Sequence, residues 1–129
     1  MIKKHVEVVC AVIEKDNKIL CCKRNSKGEC GFKWEFPGGK IEPKETKEQA
    51  LIREIKEELN CDITIDKHIT TINHEYNTFN ITLHVYKCSI LNQDYTLLVH
   101  VDSIWCEKEK LKQLDFVEAD YKFLDLLMK

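Results

Sequence analysis

Three carboxylates stand at i, i+3 and i+4 in the run Arg53-Glu54-Ile55-Lys56-Glu57-Glu58. On a helix those positions share one face, spanning an arc of roughly 100° at about 100° per residue. Three like charges so close repel one another, and a divalent cation relieves the repulsion. A hard cation such as Mg²⁺, with Mn²⁺ as a substitute, takes oxygen ligands and few protein carboxylates, which leaves positions for water and phosphate. Leu51, Ile55 and Leu59 recur at i, i+4 and i+8 beside the acidic arc. One side of the helix therefore packs on a core while the adjoining side presents acid. The plain alternative is a solvated acidic face, as most charge runs on helices are.

The neighbouring residues favour a site. Gly38-Gly39 stands just before the helix, where backbone can approach a ligand closely. Pro37 precedes the pair and Pro43 follows it, fixing the loop. Arg53 stands inside the acid cluster, where it can pair with Glu45 and brace the loop against the helix.

Gly39, five residues, Glu45, seven residues, then Arg53-Glu54-Ile55-Lys56-Glu57-Glu58 resembles the signature of the Nudix hydrolases in spacing and in every charged position. Asn60 stands where the family usually has Gly, followed by the apolar Cys61. The position ends the helix in a left-handed conformation that Asn tolerates better than other non-glycine residues. The run Trp34-Glu35-Phe36-Pro37-Gly38-Gly39-Lys40-Ile41-Glu42 resembles the MutT-type branch, which acts on nucleoside triphosphates.

The resemblance implies an α/β fold, an α/β/α sandwich around a mixed, largely antiparallel sheet. It implies hydrolysis of a nucleoside triphosphate to monophosphate and pyrophosphate. Glu54, Glu57, Glu58 and the Gly38 carbonyl would hold the metal. One of these glutamates, or a carboxylate outside the box, would take the proton from water. Lys40 would counter charge on the leaving group, and Arg53 would serve the catalytic cluster with Glu45 as its structural partner. Arg24 matches a phosphate-binding arginine, whose fork suits paired oxygens. Gly39 would let backbone approach the substrate, and Phe36 and Trp34 are candidates to line the pocket, Trp34 equally a core residue. Many relatives supply another acid before the strand that ends in Trp105; aligned on Trp105, that place holds Val99, beside His100, with Asp102 nearby but off register. The extra ligand is then either missing or Asp102.

Asp120 falls where relatives place a base-reading Asn or Asp. Ionised, it accepts hydrogen bonds and suits the exocyclic amine of cytosine in CTP, dCTP or a 5-substituted dCTP. Protonated, it donates and suits 8-oxo-dGTP. The structural alternative is a helix cap. Two further functional readings are hydrolysis of another nucleoside diphosphate derivative, such as a nucleotide sugar or dinucleoside polyphosphate, and a nucleotide-binding module without catalysis.

The elements that must position these residues read as follows. Val6 to Ile13 and Lys18 to Lys23 form a hairpin about Glu14-Lys15-Asp16-Asn17. A polar loop runs from Asn25 to Gly31, and a short strand from Phe32 to Phe36 delivers Pro37. Thr46 caps the central helix with Gln49 as its capping-box partner, and the helix runs to about Leu59. A β segment from Asp62 to Glu75, a turn at Tyr76-Asn77-Thr78 and a strand from Phe79 to Leu91 follow. Next come a turn at Asn92-Gln93-Asp94, a strand from Thr96 to Cys106, a short helix from Glu107 to Leu114 and an amphipathic helix from Val117 to Met128.

The 129 residues carry a net charge of −2, with 43% apolar and 33% charged residues. That suits one domain over residues 1–129. It gives no electrostatic footprint for a polynucleotide, and no run is long enough for a membrane span. Met1-Ile2-Lys3-Lys4-His5 has charge without an apolar signal core, so the expected location is cytoplasmic, as a monomer or homodimer whose partner is a small nucleotide. The seven cysteines are odd in number and lack a Cys-x-x-Cys, which points neither to disulfides nor to zinc. Cys10, Cys21 and Cys88 lie in apolar runs as small hydrophobes. The five histidines show no ligand spacing and read as structural or surface residues.

Overall fold

A computed structural model describes residues 3–92 and 94–129. Its centre is β1 (Lys4–Lys15), whose residues from Val9 to Ile13 are all buried. Successive strand side chains point to opposite faces, so a strand covered on both sides is apolar throughout its middle. Val9, Ala11 and Ile13 pack with Leu51, Ile55 and Leu59 on one face. Cys10 and Val12 pack with Phe36, Phe116, Phe123 and Leu124 on the other.

β1 turns into β2 (Lys18–Lys23) through Asp16 and Asn17, whose φ values of 53° and 63° are the left-handed pair favoured by a two-residue hairpin. β3 (Trp34–Glu35) pairs with β2, and β4 (Gly38–Lys40) pairs with β1. β5 (Ile63–Glu75) and β6 (Phe79–Ile90) form a long antiparallel hairpin. β6 runs parallel to β1 from Lys4 opposite Phe79 to Ile13 opposite Cys88. β7 (Asp102–Glu107) lies antiparallel on β2. The sheet is mixed and largely antiparallel, with helices on both faces, as the sequence led one to expect.

α1 (Lys47–Leu59) begins at Thr46, whose hydroxyl accepts from Gln49 N–H while the Gln49 side chain accepts from Thr46 N–H. It ends at Asn60, left-handed at φ 50°. Leu51, Ile55 and Leu59 are fully buried, each contributing about 1.5–3 kcal/mol on the usual scale for apolar burial. All seven cysteines are free and buried.

Four segments differ from expectation. The strand predicted from Phe32 to Phe36 shortens to Trp34–Glu35, because Phe32 is exposed with φ 61° and Trp34 gives its N–H to Asp115 O. Of the strand predicted from Thr96 to Cys106, only Asp102 onward is strand. Thr96 N–H and Leu98 N–H donate instead to Leu59 O and Glu58 O, carbonyls that a helix end leaves without intrahelical partners. The short helix is a 3₁₀ turn over Lys108–Gln113. The final helix is two single turns, α2 (Glu118–Tyr121) and α3 (Leu124–Leu127), broken at Phe123 with φ −128°. Gln93 of the turn expected at 92–94, and Met1 and Ile2 of the N-terminal run, lie outside the described residues.

Candidate active site

The acidic face of α1 meets β4. Glu58 accepts from Gly38 N–H at 3.0 Å. Gly39 stands opposite Val9 in the ladder, flanked by Ala11 N–H to Pro37 O and Ile41 N–H to Glu7 O. Alternation along an antiparallel pair then turns the N–H and carbonyl of Gly38 away from β1, toward the helix. A Cβ on Gly39 would overlap the Glu54 carboxylate, and one on Gly38 would overlap Val9 O and Cys10 Cα. Only glycine lets this strand lie pressed between the helix acids and β1.

Arg53 organises the rest of the cluster. Its Nε and Nη2 donate to the two oxygens of Glu45 at 2.7 and 2.9 Å. Nη1 reaches Glu54 at 2.8 Å and Glu57 at 3.2 Å, and Nη2 also reaches the Lys40 carbonyl at 3.0 Å. The Arg53 hydrogen bond and a further one from Glu42 N–H draw the Glu45 carboxyl down to about 2.

A cavity of about 370 Å³ opens beside this cluster, within the usual range for small-molecule sites. Gly38, Gly39, Lys40, Glu54 and Glu58 line it together with Arg24, Phe36 and Asp120 and the apolar side chains of Val8, Phe79 and Leu83. Burial, then the charges of Glu35 and Glu54, push the Glu58 carboxyl up to about 8. Burial raises Glu54 as well. Asp120 is 3% exposed, and burial followed by the Glu35 charge holds its carboxyl well above the usual range. Its Oδ2 accepts from Phe36 N–H at 3.4 Å.

The donor set fits a hard divalent cation. Glu54 and Glu58 are crowded, proton-hungry carboxylates, the charge state a cation relieves. The carbonyl of Gly38 lies outside the β1 ladder on the same side. Glu57 stands at the rim, its side chain 58% exposed and turned to Arg53. Among the described residues, no three acidic, imidazole or thiolate groups converge on one point, because Arg53 occupies the space between Glu54 and Glu57.

The residues singled out in the sequence thus fall into two sets. Glu54, Glu58, Gly38, Gly39, Lys40, Arg24, Phe36 and Asp120 meet at the cavity, while Arg53, Glu45 and Glu57 stand behind or beside it. Trp34 packs against the cluster around Phe116. Asp102 is exposed, accepts from the adjacent Ser103 N–H and does not line the cavity; Val99 is 50% exposed. Burial pushes Asp120 toward its neutral form, the one of the two states read from the sequence that suits 8-oxo-dGTP. It sits within α2 rather than capping a long helix. Arg24 lines the cavity with Nη1 donating to Glu35 at 3.0 Å. Sequence reasoning missed Glu35 and His100. His100 is buried, and its Nε2 lies 2.9 Å from Glu35. A lone charge in the aromatic run 34–36 was the available signal for Glu35; His100 had none.

The NUDIX domain family model matches residues 8–126. The chain is 34% identical over 125 residues to the CTP pyrophosphohydrolase of Escherichia coli (strain K12), covering 97% of this chain and 93% of that one. It is 42% identical over 84 residues to the 8-oxo-dGTP diphosphatase of Proteus vulgaris, covering 64% and 75%. The solution structure of the DNA mismatch repair protein MutT, a Nudix hydrolase from methicillin-resistant Staphylococcus aureus 252, superposes with a TM-score of 0.78 at 41% identity, covering 98% of each chain. Among the described residues, no helix is long and apolar enough to cross a membrane.

Proposed function

The chain belongs to the Nudix hydrolase family, and we propose that it is a Mg²⁺-dependent nucleoside triphosphate pyrophosphohydrolase that converts a (d)NTP and water to (d)NMP and diphosphate. One observation carries this reading: one cavity is lined both by the carboxylates of α1 with the Gly38–Lys40 strand and by Phe36 with a buried carboxyl, Asp120. That lining joins acids that suit a cation and its phosphates to an apolar and carboxyl surface that suits a base.

Glu54, Glu58 and the Gly38 carbonyl, with Glu57 at the rim, would hold the cation. Bound there, Mg²⁺ neutralises charge on phosphate oxygens and acidifies water. One of these glutamates, or a carboxylate outside the cluster, takes up the proton of the attacking water. Lys40, exposed beside Gly39, places positive charge where pyrophosphate leaves. Arg53 keeps Glu45, Glu54 and the Lys40 backbone in register. Phe36 and the apolar wall provide the surface for a base. Asp120 reads its edge; neutral, it both accepts and donates.

A neutral Asp120 no longer singles out cytosine. The proposed substrates are a cytosine nucleotide (CTP, dCTP or a 5-substituted dCTP) and 8-oxo-dGTP; CTP and 8-oxo-dGTP are the nucleotides in the names of the two relatives. Measuring kcat/KM with Mg²⁺ across normal, 5-substituted and 8-oxo (d)NTPs tests this. A preference for one of these bases supports the reading; equal rates for all bases, or a preference for nucleotide sugars or dinucleoside polyphosphates, overturns it.

A further inference from the structure

Arg24, Glu35 and His100 come from three separate stretches of chain and meet through both oxygens of one carboxylate. Glu35 Oε1 accepts from Arg24 Nη1 at 3.0 Å, and Oε2 stands 2.9 Å from His100 Nε2. Side-chain exposure falls along the series, 35% for Arg24, 16% for Glu35 and 2% for His100. Arg24 and Glu35 line the cavity, and His100 backs Glu35 from the protein side.

The backbone fixes all three. Arg24 N–H donates to Lys33 O, next to β3, which carries Glu35. Val101 N–H donates to Lys23 O, which sets His100 beside Arg24. The stretch that carries His100 is also bonded to Glu58 O and Leu59 O at the end of α1. Two polar atoms nearby are buried without a protein partner among the described residues, His100 Nδ1 and Arg24 Nε. A proton on Nδ1 would have nowhere to go, so the tautomer that satisfies the geometry carries it on Nε2, donating to Glu35. Glu35 then holds Nη1 of the Arg24 guanidinium while Nε is buried, and Nη2, which makes no hydrogen bond among the described residues, is left for a ligand.

We propose that His100 is a positioning residue for nucleotide binding. It locks Glu35, Glu35 locks Arg24, and Arg24 offers Nη2 to the substrate already oriented. Since the Glu35 carboxylate offsets the charge of Arg24, Arg24 contributes orientation more than net charge. A flexible arginine would have to lose its rotamer freedom on binding; one held in advance does not. The inference rests on reading the cavity as a nucleoside triphosphate site.

The test combines binding, kinetics and spectroscopy on the full chain. Affinity for α,β-imido analogues of CTP and 8-oxo-dGTP is measured by calorimetry for wild type, His100→Leu, His100→Gln, Glu35→Gln and the double variant His100→Leu/Glu35→Gln. His100→Leu is expected to weaken binding and raise KM about tenfold, as when one rotamer-rich side chain must be ordered on binding, with kcat nearly unchanged. His100→Gln, which keeps a donor near the place of Nε2, should recover most of the loss. Glu35→Gln and the double variant should weaken binding equally, since coupled residues are non-additive. The ¹⁵N imidazole spectrum should place the His100 proton on Nε2. Unchanged affinity in a folded His100→Leu, no recovery in His100→Gln, or a proton on Nδ1 would overturn the proposal. If His100→Leu does not fold, His100→Gln, the Glu35 variant and the spectrum decide. Wild type that binds neither analogue would overturn the nucleotide reading itself, whereas tight binding that the variants leave untouched overturns only the role of His100.

Discussion

Arg53 grips Glu45 with two donors, Nε at 2.7 Å and Nη2 at 2.9 Å. The pair ties the loop after β4 to the middle of α1, and the same guanidinium holds Glu54 and the Lys40 carbonyl. Arg53→Ala should therefore lower the melting midpoint by several degrees and reduce kcat/KM by about 10²-fold, the scale of loss when catalytic groups shift by an ångström. An unchanged midpoint with lost activity would make Arg53 a substrate contact instead.

Glu54→Gln and Glu58→Gln should each lower kcat by at least about 10²-fold, whether the lost role is cation binding or proton transfer. Glu57→Gln should cost less, since Glu57 is exposed at the rim. Steady-state kinetics at saturating Mg²⁺ check this. Near-normal turnover in both Glu54→Gln and Glu58→Gln would remove α1 from the chemistry.

The Glu58 carboxyl sits near 8 in the fold against an ordinary 4.5. Between those values the folded chain keeps a proton that the unfolded chain has released, so stability falls as pH rises through that window. With a chelator present, the melting midpoint should drop between about pH 5 and about pH 8, and the drop should shrink in Glu58→Gln. Added Mg²⁺ should recover more stability at the alkaline end, where no proton has to be displaced. An identical slope in wild type and Glu58→Gln would contradict the assignment.

Asp120 is buried, and burial holds its carboxyl well above the usual range. Asp120→Asn, neutral with a donor and an acceptor, should keep most of the base preference. Asp120→Ala should cost about 1–3 kcal/mol in kcat/KM for the preferred base, as for a buried polar partner removed, and little for poor substrates. An equal loss across all bases in Asp120→Ala would leave Asp120 a purely structural role beneath Phe36.

How much of this was legible in the sequence depended on how local the cause was. α1 could be read to its ends because its capping box, its four-residue apolar period and its left-handed Asn60 all lie within its own span. The first hairpin was legible from Asp16-Asn17 for the same reason. The segment 96–101 was not, because its N–H groups are spent on the far end of α1, a partner that no alternation pattern reveals. Asp120 could be placed as a site residue, but its charge state follows from burial and from Glu35, 85 positions away in the chain. The contact between Glu35 and His100 spans 65 positions and was invisible for that reason.

The most direct measurement is the identity of the products. Purified protein with Mg²⁺ and CTP, dCTP or 8-oxo-dGTP should release nucleoside monophosphate and pyrophosphate in equal amounts, and the release should cease with a chelator. Release of nucleoside diphosphate and orthophosphate, or turnover that survives complete removal of divalent cations, would contradict the account.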